Sequence, residues 1–277
     1  MINYGILTTI ENKIIKKKLN GTSLTQNESN ILSKFIRPKL REISKINANV
    51  LLNRLEYNQK AISIEQRMKK IILENVKDVR ALILYGSAIQ TNYKSYNDID
   101  LLILTKGKIW NSLGEKYDLI IKLISIAKKI SLNLDIQIID IGSFYREYPH
   151  SPSLIYQLKD CKVIYGQVNI PSKMQLSKLD LRMKLDWSDM DDEDSNGNEI
   201  YQSLRNVVLV RLLLNKIVDN EFLKESMNKE LGSNLLVKLK NDTASKPEKK
   251  QTLKYIKYLS EKTDKEIKEA QWEKIVL

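Results

Sequence analysis

Two aspartates two positions apart, Asp98 and Asp100, follow a Gly86-Ser87 pair after ten intervening residues. On a strand, side chains at i and i+2 leave from one face, so these carboxylates should project together. Carboxylates that close would repel strongly if left unpaired, and divalent cations resolve that conflict. Ile99, Leu101 and Ile103 would take the opposite face and bury it. Gly86 directly follows the apolar run Val79–Tyr85. Glycine lets the backbone turn tightly there and approach a phosphate closely. Ser87 then opens a short helix whose free N–H groups and hydroxyl suit an anionic triphosphate. The chemistry implied is metal-assisted handling of phosphates.

A third carboxylate should complete such a site, and the run Leu132–Ile141 offers two. Asp135 shares a strand face with Gln137, whereas Asp140 shares its face with Ile136 and Ile138. Polar company makes Asp135 the expected member.

Several elements must position these groups. Val79–Tyr85, Asp98–Leu104 and Leu132–Ile141 read as strands, and Asp118–Ile130 as an amphipathic helix between the second and third. That order is a small α/β layer. Upstream, Pro38 is expected to open a helix carrying Leu40, Ile43, Ile46, Val50 and Leu51 at helical spacing. Ile64, Met68, Ile71, Ile72 and Val76 repeat the pattern. Downstream, a linker is expected from Tyr165-Gly166 to Pro171, then helices at Lys173–Leu185, Asn198–Ile217, Glu221–Leu231 and Glu248–Glu261, and a last one ending near Trp272. The expected fold class is α+β, a small mixed sheet with helices, flanked by N-terminal and C-terminal helical segments. The expected divisions are a mainly helical segment over 1–78, a catalytic domain over 79–168 and a helical domain over 169–277.

Leu84-Tyr85-Gly86-Ser87, Asp98-Ile99-Asp100-Leu101 and Leu134-Asp135-Ile136 together resemble the DNA polymerase β-type nucleotidyltransferase superfamily, closest to its minimal and aminoglycoside-type members. Pro152-Ser153-Leu154-Ile155-Tyr156 and Val163-Ile164-Tyr165-Gly166 are similar to the way many of those domains end. The resemblance spans roughly Val79 to Gly166. It implies two-metal transfer of an NMP from an NTP, ATP among them, to an acceptor hydroxyl, with release of pyrophosphate. Asp98 and Asp100 would bind two Mg²⁺ ions (Mn²⁺ as a substitute), and Asp135 would ligate the ion at the incoming hydroxyl and act as general base. Gly86, Ser87 and Arg205 are the expected nucleotide contacts. Ala88-Ile89-Gln90-Thr91-Asn92 stands where relatives often carry a small-basic-glycine sequence, and Asn97 where serine is common. The rival of another class is a catalytically silent nucleotide- or RNA-binding module of the same fold.

The acceptor stays open among an RNA end, a protein side chain and a small molecule, as does the oligomeric state. A net charge of +12 favours a phosphate-rich partner only weakly, because lysine outnumbers the nine arginines about fourfold among 46 basic residues. The acidic stretch Asp186–Asp194 would suit a cationic acceptor. Asp192-Glu193-Asp194-Ser195-Asn196-Gly197 starts like a calcium loop, but its twelfth position is Ser203 where a bidentate glutamate is needed. Tyr201 and Arg205 lie one turn apart on a predicted helix that also carries Arg211. The single histidine, His150, sits in the turn Tyr148–Pro152 and argues against a histidine-dependent nuclease. Trp110, Trp187 and Trp272 read as core or domain-contact residues. No apolar run is long enough to cross a bilayer, Met1–Gly5 does not read as a signal peptide, and a lone Cys161, read as a small buried hydrophobe, fits a reducing cytoplasm.

Overall fold

A computed structural model describes residues 7–20, 22–44, 58–188 and 195–277. Backbone contacts divide the chain into two compact units, 1–56 and 57–277. The expected positions Ile46, Val50 and Leu51, and residues 189–194 of the acidic stretch, lie outside the described residues.

In the first unit, α1 (Thr9–Leu19) starts on a capping box in which Thr8 and Glu11 satisfy each other's backbone donors. α2 (Gln26–Ile31) starts on the same device from Thr25 and Glu28. Ile14, Leu32 and Ile36 form a small core between these helices. Contrary to the expectation from its residue type, Pro38 does not open a helix. The helix already under way from Gln26 continues through a π turn at Leu32–Ile36 into α3 (Arg37–Ser44). Proline has no N–H for the carbonyl four residues back and its ring crowds that carbonyl. The wider turn, in which the Arg37 N–H bonds to the Leu32 carbonyl, relieves both problems without ending the helix.

The second unit is built on a four-stranded mixed sheet in the order β3-β2-β1-β4. β1 (Val79–Tyr85) runs antiparallel to β2 (Ile99–Thr105) and to β4 (Lys162–Gly166), while β2 and β3 (Leu134–Asp140) are parallel. β1 and β2 are apolar on both faces because both faces are covered. Leu82, Leu84, Ile99, Leu101, Ile103 and Ile138 pack against α4 (Gln59–Asn75) and α6 (Leu113–Lys129). Ala81, Ile83, Leu102 and Leu104 face the other core with α7 (Ile141–Glu147), α8 (Pro152–Lys159) and the C-terminal helices. Tyr165-Gly166 belongs to β4 rather than to a linker. Gly166, at φ +70°, lies so close to Arg80 that a Cβ there would sit 2.0 Å from its carbonyl oxygen.

The C-terminal helices are α9 (Lys178–Asp186), α10 (Gly197–Leu214), α11 (Asn220–Leu231), α12 (Ser233–Lys240) and α13 (Lys246–Glu269). α10 is buried on nearly every side, with Ile200, Leu204, Val207, Val208 and Leu209 all in the core. Where Lys173–Leu185 was expected to be helical throughout, Gln175–Ser177 is β5, paired antiparallel with β6 (Lys274–Val276). The stretch expected to hold two last helices is the single 24-residue α13 followed by β6. Three-residue strands show no sequence period, and only their pairing defines them.

Candidate active site

β1, β2 and β3 set the site by register. Tyr85 stands opposite Asp100, and Asp100 opposite Asp135. The three side chains therefore form a row across one sheet face, toward the C-terminal helices. Asp98 precedes β2, in the bend that enters it, rather than lying within the strand. That bend is tied to the third strand: Asn133 donates its side-chain amide to the Asn97 carbonyl at 3.0 Å, and the Ile99 N–H bonds to the Asn133 carbonyl at 2.9 Å. Upstream, Asn92 and Tyr93 adopt left-handed conformations, and the Tyr93 hydroxyl reaches Glu65 at 3.0 Å.

Gly86, at φ +74°, opens α5 (Gly86–Gln90). A Cβ at this position would lie 1.9 Å from Asp100 Oδ2. Glycine is thus required twice, for the left-handed turn and for room for the carboxylate. Ser87 is exposed on the first turn of α5.

Asp140, the other candidate third carboxylate, has a different task. It caps α7, its Oδ1 accepting from the Ser143 N–H at 2.9 Å, and this bond holds its carboxyl below the usual range. Its charge is already used.

Gly86, Ser87, Asp100, Asp135 and Arg205 line one cavity of about 380 Å³ between the sheet and the helices α8, α10, α11 and α12. Asp98 is not part of its wall, yet its charge acts on both Asp100 and Asp135. Burial, then the charges of Asp98 and Asp135, push the Asp100 carboxyl up to about 7. Burial and Asp98 raise Asp135 as well. Opposite stands Arg205, whose guanidinium makes no hydrogen bond or ion pair among the described residues and whose charged form is disfavoured by burial. Arg211 is tied to Glu230 at 2.9 Å and does not line this cavity.

The composition of the cavity goes beyond the residues expected from sequence. Tyr85, Tyr156, Tyr201, Gln90, Lys224 and Lys240 also line it. Tyr85 carried a signal in principle: it is a polar aromatic on the strand face that carries Asp100. Lys224 and Lys240 carried none, since they resemble any other helical lysine until α11 and α12 fold over the sheet.

Among the described residues, no three His, Cys, Asp or Glu side chains converge on one ion position. The donor set still fits Mg²⁺. A hard cation takes oxygen ligands, and Mg²⁺ needs only one or two carboxylates when phosphates and water complete its shell. Burial first, and then neighbouring carboxylate charge, raises Asp100 and Asp135, and a divalent cation offsets the second of these.

Residues 66–167 match the model of the family described as polymerase beta, nucleotidyltransferase. This segment is a polymerase β-type nucleotidyltransferase domain. It holds all four strands of the sheet, with Gly86, Ser87, Asp98, Asp100 and Asp135 inside it and Arg205 outside. No curated protein matches the chain. Among solved structures, spectinomycin adenyltransferase AAD(9) from Enterococcus faecialis, with ATP and spectinomycin, is 17% identical. The match covers 75% of this chain and 99% of that one at a TM-score of 0.46. A structure of a tri-AMPylated Shewanella oneidensis HEPN toxin in complex with MNT antitoxin matches at 22% identity over 39% of this chain and 73% of that one, TM-score 0.27. A toxin-antitoxin with AMP-PNP matches at 23% identity over 37% and 73%, TM-score 0.28.

The remaining sequence expectations are placed as follows. His150 is half-exposed, with Nδ1 3.5 Å from Asp180 in the capping box of α9. Asn196 caps α10 together with Glu199, so the end of the calcium-loop resemblance is a helix start. Cys161 is partly buried, packed against the C-terminal core. Of the three tryptophans expected in the core or at a domain contact, Trp110 and Trp272 pack against the two cores, whereas Trp187 is 75% exposed and is not a core residue. It ends α9 with the Lys184 ammonium over its ring, an arrangement open to solvent. Among the described residues no helix is long and apolar enough to cross a membrane.

Proposed function

We propose that the protein transfers an NMP from an NTP to an acceptor hydroxyl and releases pyrophosphate. The observation that carries this reading is the row of Asp100 and Asp135 on one sheet face, with Asp98 beside it, opposite a half-buried Arg205 that has no ion pair among the described residues, across a single cavity. One end of the cavity suits cations and the other suits anions. A nucleoside triphosphate with its counter-ions presents both.

In this reading Asp98, Asp100 and Asp135 hold two Mg²⁺ ions, or Mn²⁺. When bound, these ions lower the pKa of the attacking hydroxyl and offset charge on the departing pyrophosphate. Gly86 allows the backbone to approach the phosphates, and Ser87 offers its N–H and hydroxyl to them. Arg205 gains a counter-charge in the pyrophosphate oxygens. The acceptor oxygen bonds to the α-phosphorus as the bond from that phosphorus to the β-phosphate oxygen breaks. Asp135 takes the proton of the acceptor, a role helped by the burial that raises its affinity for one.

The test is transfer of label from each of the four α-labelled NTPs into a cell lysate with Mg²⁺, against the Asp98→Ala, Asp100→Ala double variant. Label should appear only with the intact protein and should run with RNA, protein or small molecules according to the acceptor class. Equal labelling by both proteins with all four NTPs would overturn the proposal.

A further inference from the structure

Tyr85 ends β1 with its ring in the core and its residue 2% exposed. Its hydroxyl is the sole fully buried side-chain oxygen or nitrogen among the described residues that has no hydrogen-bond partner. An unsatisfied buried hydroxyl destabilises the fold, and phenylalanine would fill the same space without that cost. Register puts Tyr85 on the sheet face that carries Asp100, and the two residues line the same cavity as Asp135. Yet neither carboxylate accepts from the hydroxyl. Asp100, directly opposite in register, places its Oδ2 against Gly86 instead.

We propose that Tyr85 is a positioning residue for the cation site: its hydroxyl donates to the Asp100 carboxylate once that group turns from Gly86 to ligate a metal ion. Asp100 would help to hold the ion, and its carboxylate would have lone pairs left to accept from the phenol. Groups hydrogen-bonded behind a ligand fix its orientation and tune its basicity. The donor is orphaned in the resting protein because its acceptor occupies this place only with the ion bound. Tyr85 touches neither nucleotide nor acceptor in this scheme and acts through Asp100 alone. The inference rests on the proposed nucleotidyl transfer only in that it uses the same carboxylates.

The experiment uses the whole protein and Mn²⁺ as probe, with free ion counted by electron paramagnetic resonance and heat measured by titration calorimetry. Tyr85→Phe should weaken Mn²⁺ binding about tenfold, the low end for partners behind a metal ligand. Its melting temperature in EDTA should equal or exceed that of the parent protein, because no hydrogen bond is lost in the resting state. Unchanged Mn²⁺ affinity in Tyr85→Phe would overturn the inference while leaving the parent reading intact. A lower melting temperature in EDTA would also overturn it, since the hydroxyl would then have a resting partner. If the unaltered protein binds Mn²⁺ no better than Asp100→Ala, the cation site itself is absent, and both readings fall.

Discussion

Replacing Asp100 by asparagine should stabilise the metal-free protein, and by an amount that grows with pH. The Asp100 carboxyl is shifted from 3.8 to about 7, first by burial and then by Asp98 and Asp135. The folded protein therefore binds a proton at Asp100 more tightly than the unfolded chain. The stabilisation from that proton is complete below the unfolded value near 4, and is lost progressively as pH rises to about 7. Above that, Asp100 is charged in both states, and the folded state bears the full cost of holding a carboxylate in a partly dry, negative site. At 1.36 kcal/mol per pKa unit, the rise from 3.8 to about 7 corresponds to roughly 4 kcal/mol, and partial exposure of the group reduces the expectation to about 1–3 kcal/mol. Asparagine keeps the shape and removes the charge. Urea unfolding of both proteins in EDTA at about pH 4.5 and about pH 8 measures the difference. The Asp100→Asn variant should gain little at the lower pH and most of its advantage at the higher. Adding Mg²⁺ at the higher pH should stabilise the parent protein more than the variant. An advantage that is the same at both pH values, or a variant less stable than its parent at the higher pH, would refute the electrostatic reasoning.

Other outcomes follow from the same geometry. Gly86→Ala should abolish label transfer by at least about 100-fold, because the new Cβ meets Asp100 Oδ2 at 1.9 Å and the backbone is left-handed; transfer within a fewfold of normal would show that Asp100 can move aside freely. Arg205→Met should raise the KM for NTP about 10- to 100-fold, the value of a charge-assisted contact, while leaving the melting temperature equal or higher, since a half-buried cation whose charged form burial disfavours is removed. Asp140→Ala should lose about 1 kcal/mol of stability with its helix cap yet keep transfer activity, whereas Asp135→Ala should do the reverse. Asn220 donates to the Tyr156 carbonyl at 3.1 Å and to Asp160 at 2.9 Å, so Asn220→Ala should cost about 1–3 kcal/mol in urea unfolding and loosen the wall that α11 contributes to the cavity.

Short-range rules were enough for much of this molecule. The apolar runs Val79–Tyr85 and Asp98–Leu104 and the glycine between them point to two strands of the sheet to within a residue, because strand periodicity and left-handed turns are properties of neighbouring residues. That Asp98 sits in the bend before β2 is decided by the pairing. The same reasoning places Asp135 and Asp140 on opposite faces of β3. It does not tell why one stays unpaired, which follows only from Asp140 lying at the start of α7. Pro38 reads as a helix start from its own residue type, but the helix through it is decided by a π turn and the small core of its unit. β4, β5 and β6 lack a period of their own and are strands because of what lies beside them. The anionic half of the candidate site was therefore legible in one local segment plus one strand. Of its cationic half the sequence offered only Arg205; Lys224 and Lys240 come from two further helices whose positions depend on packing over the sheet. Local sequence determined which groups repel, and the tertiary fold decided what stands across from them.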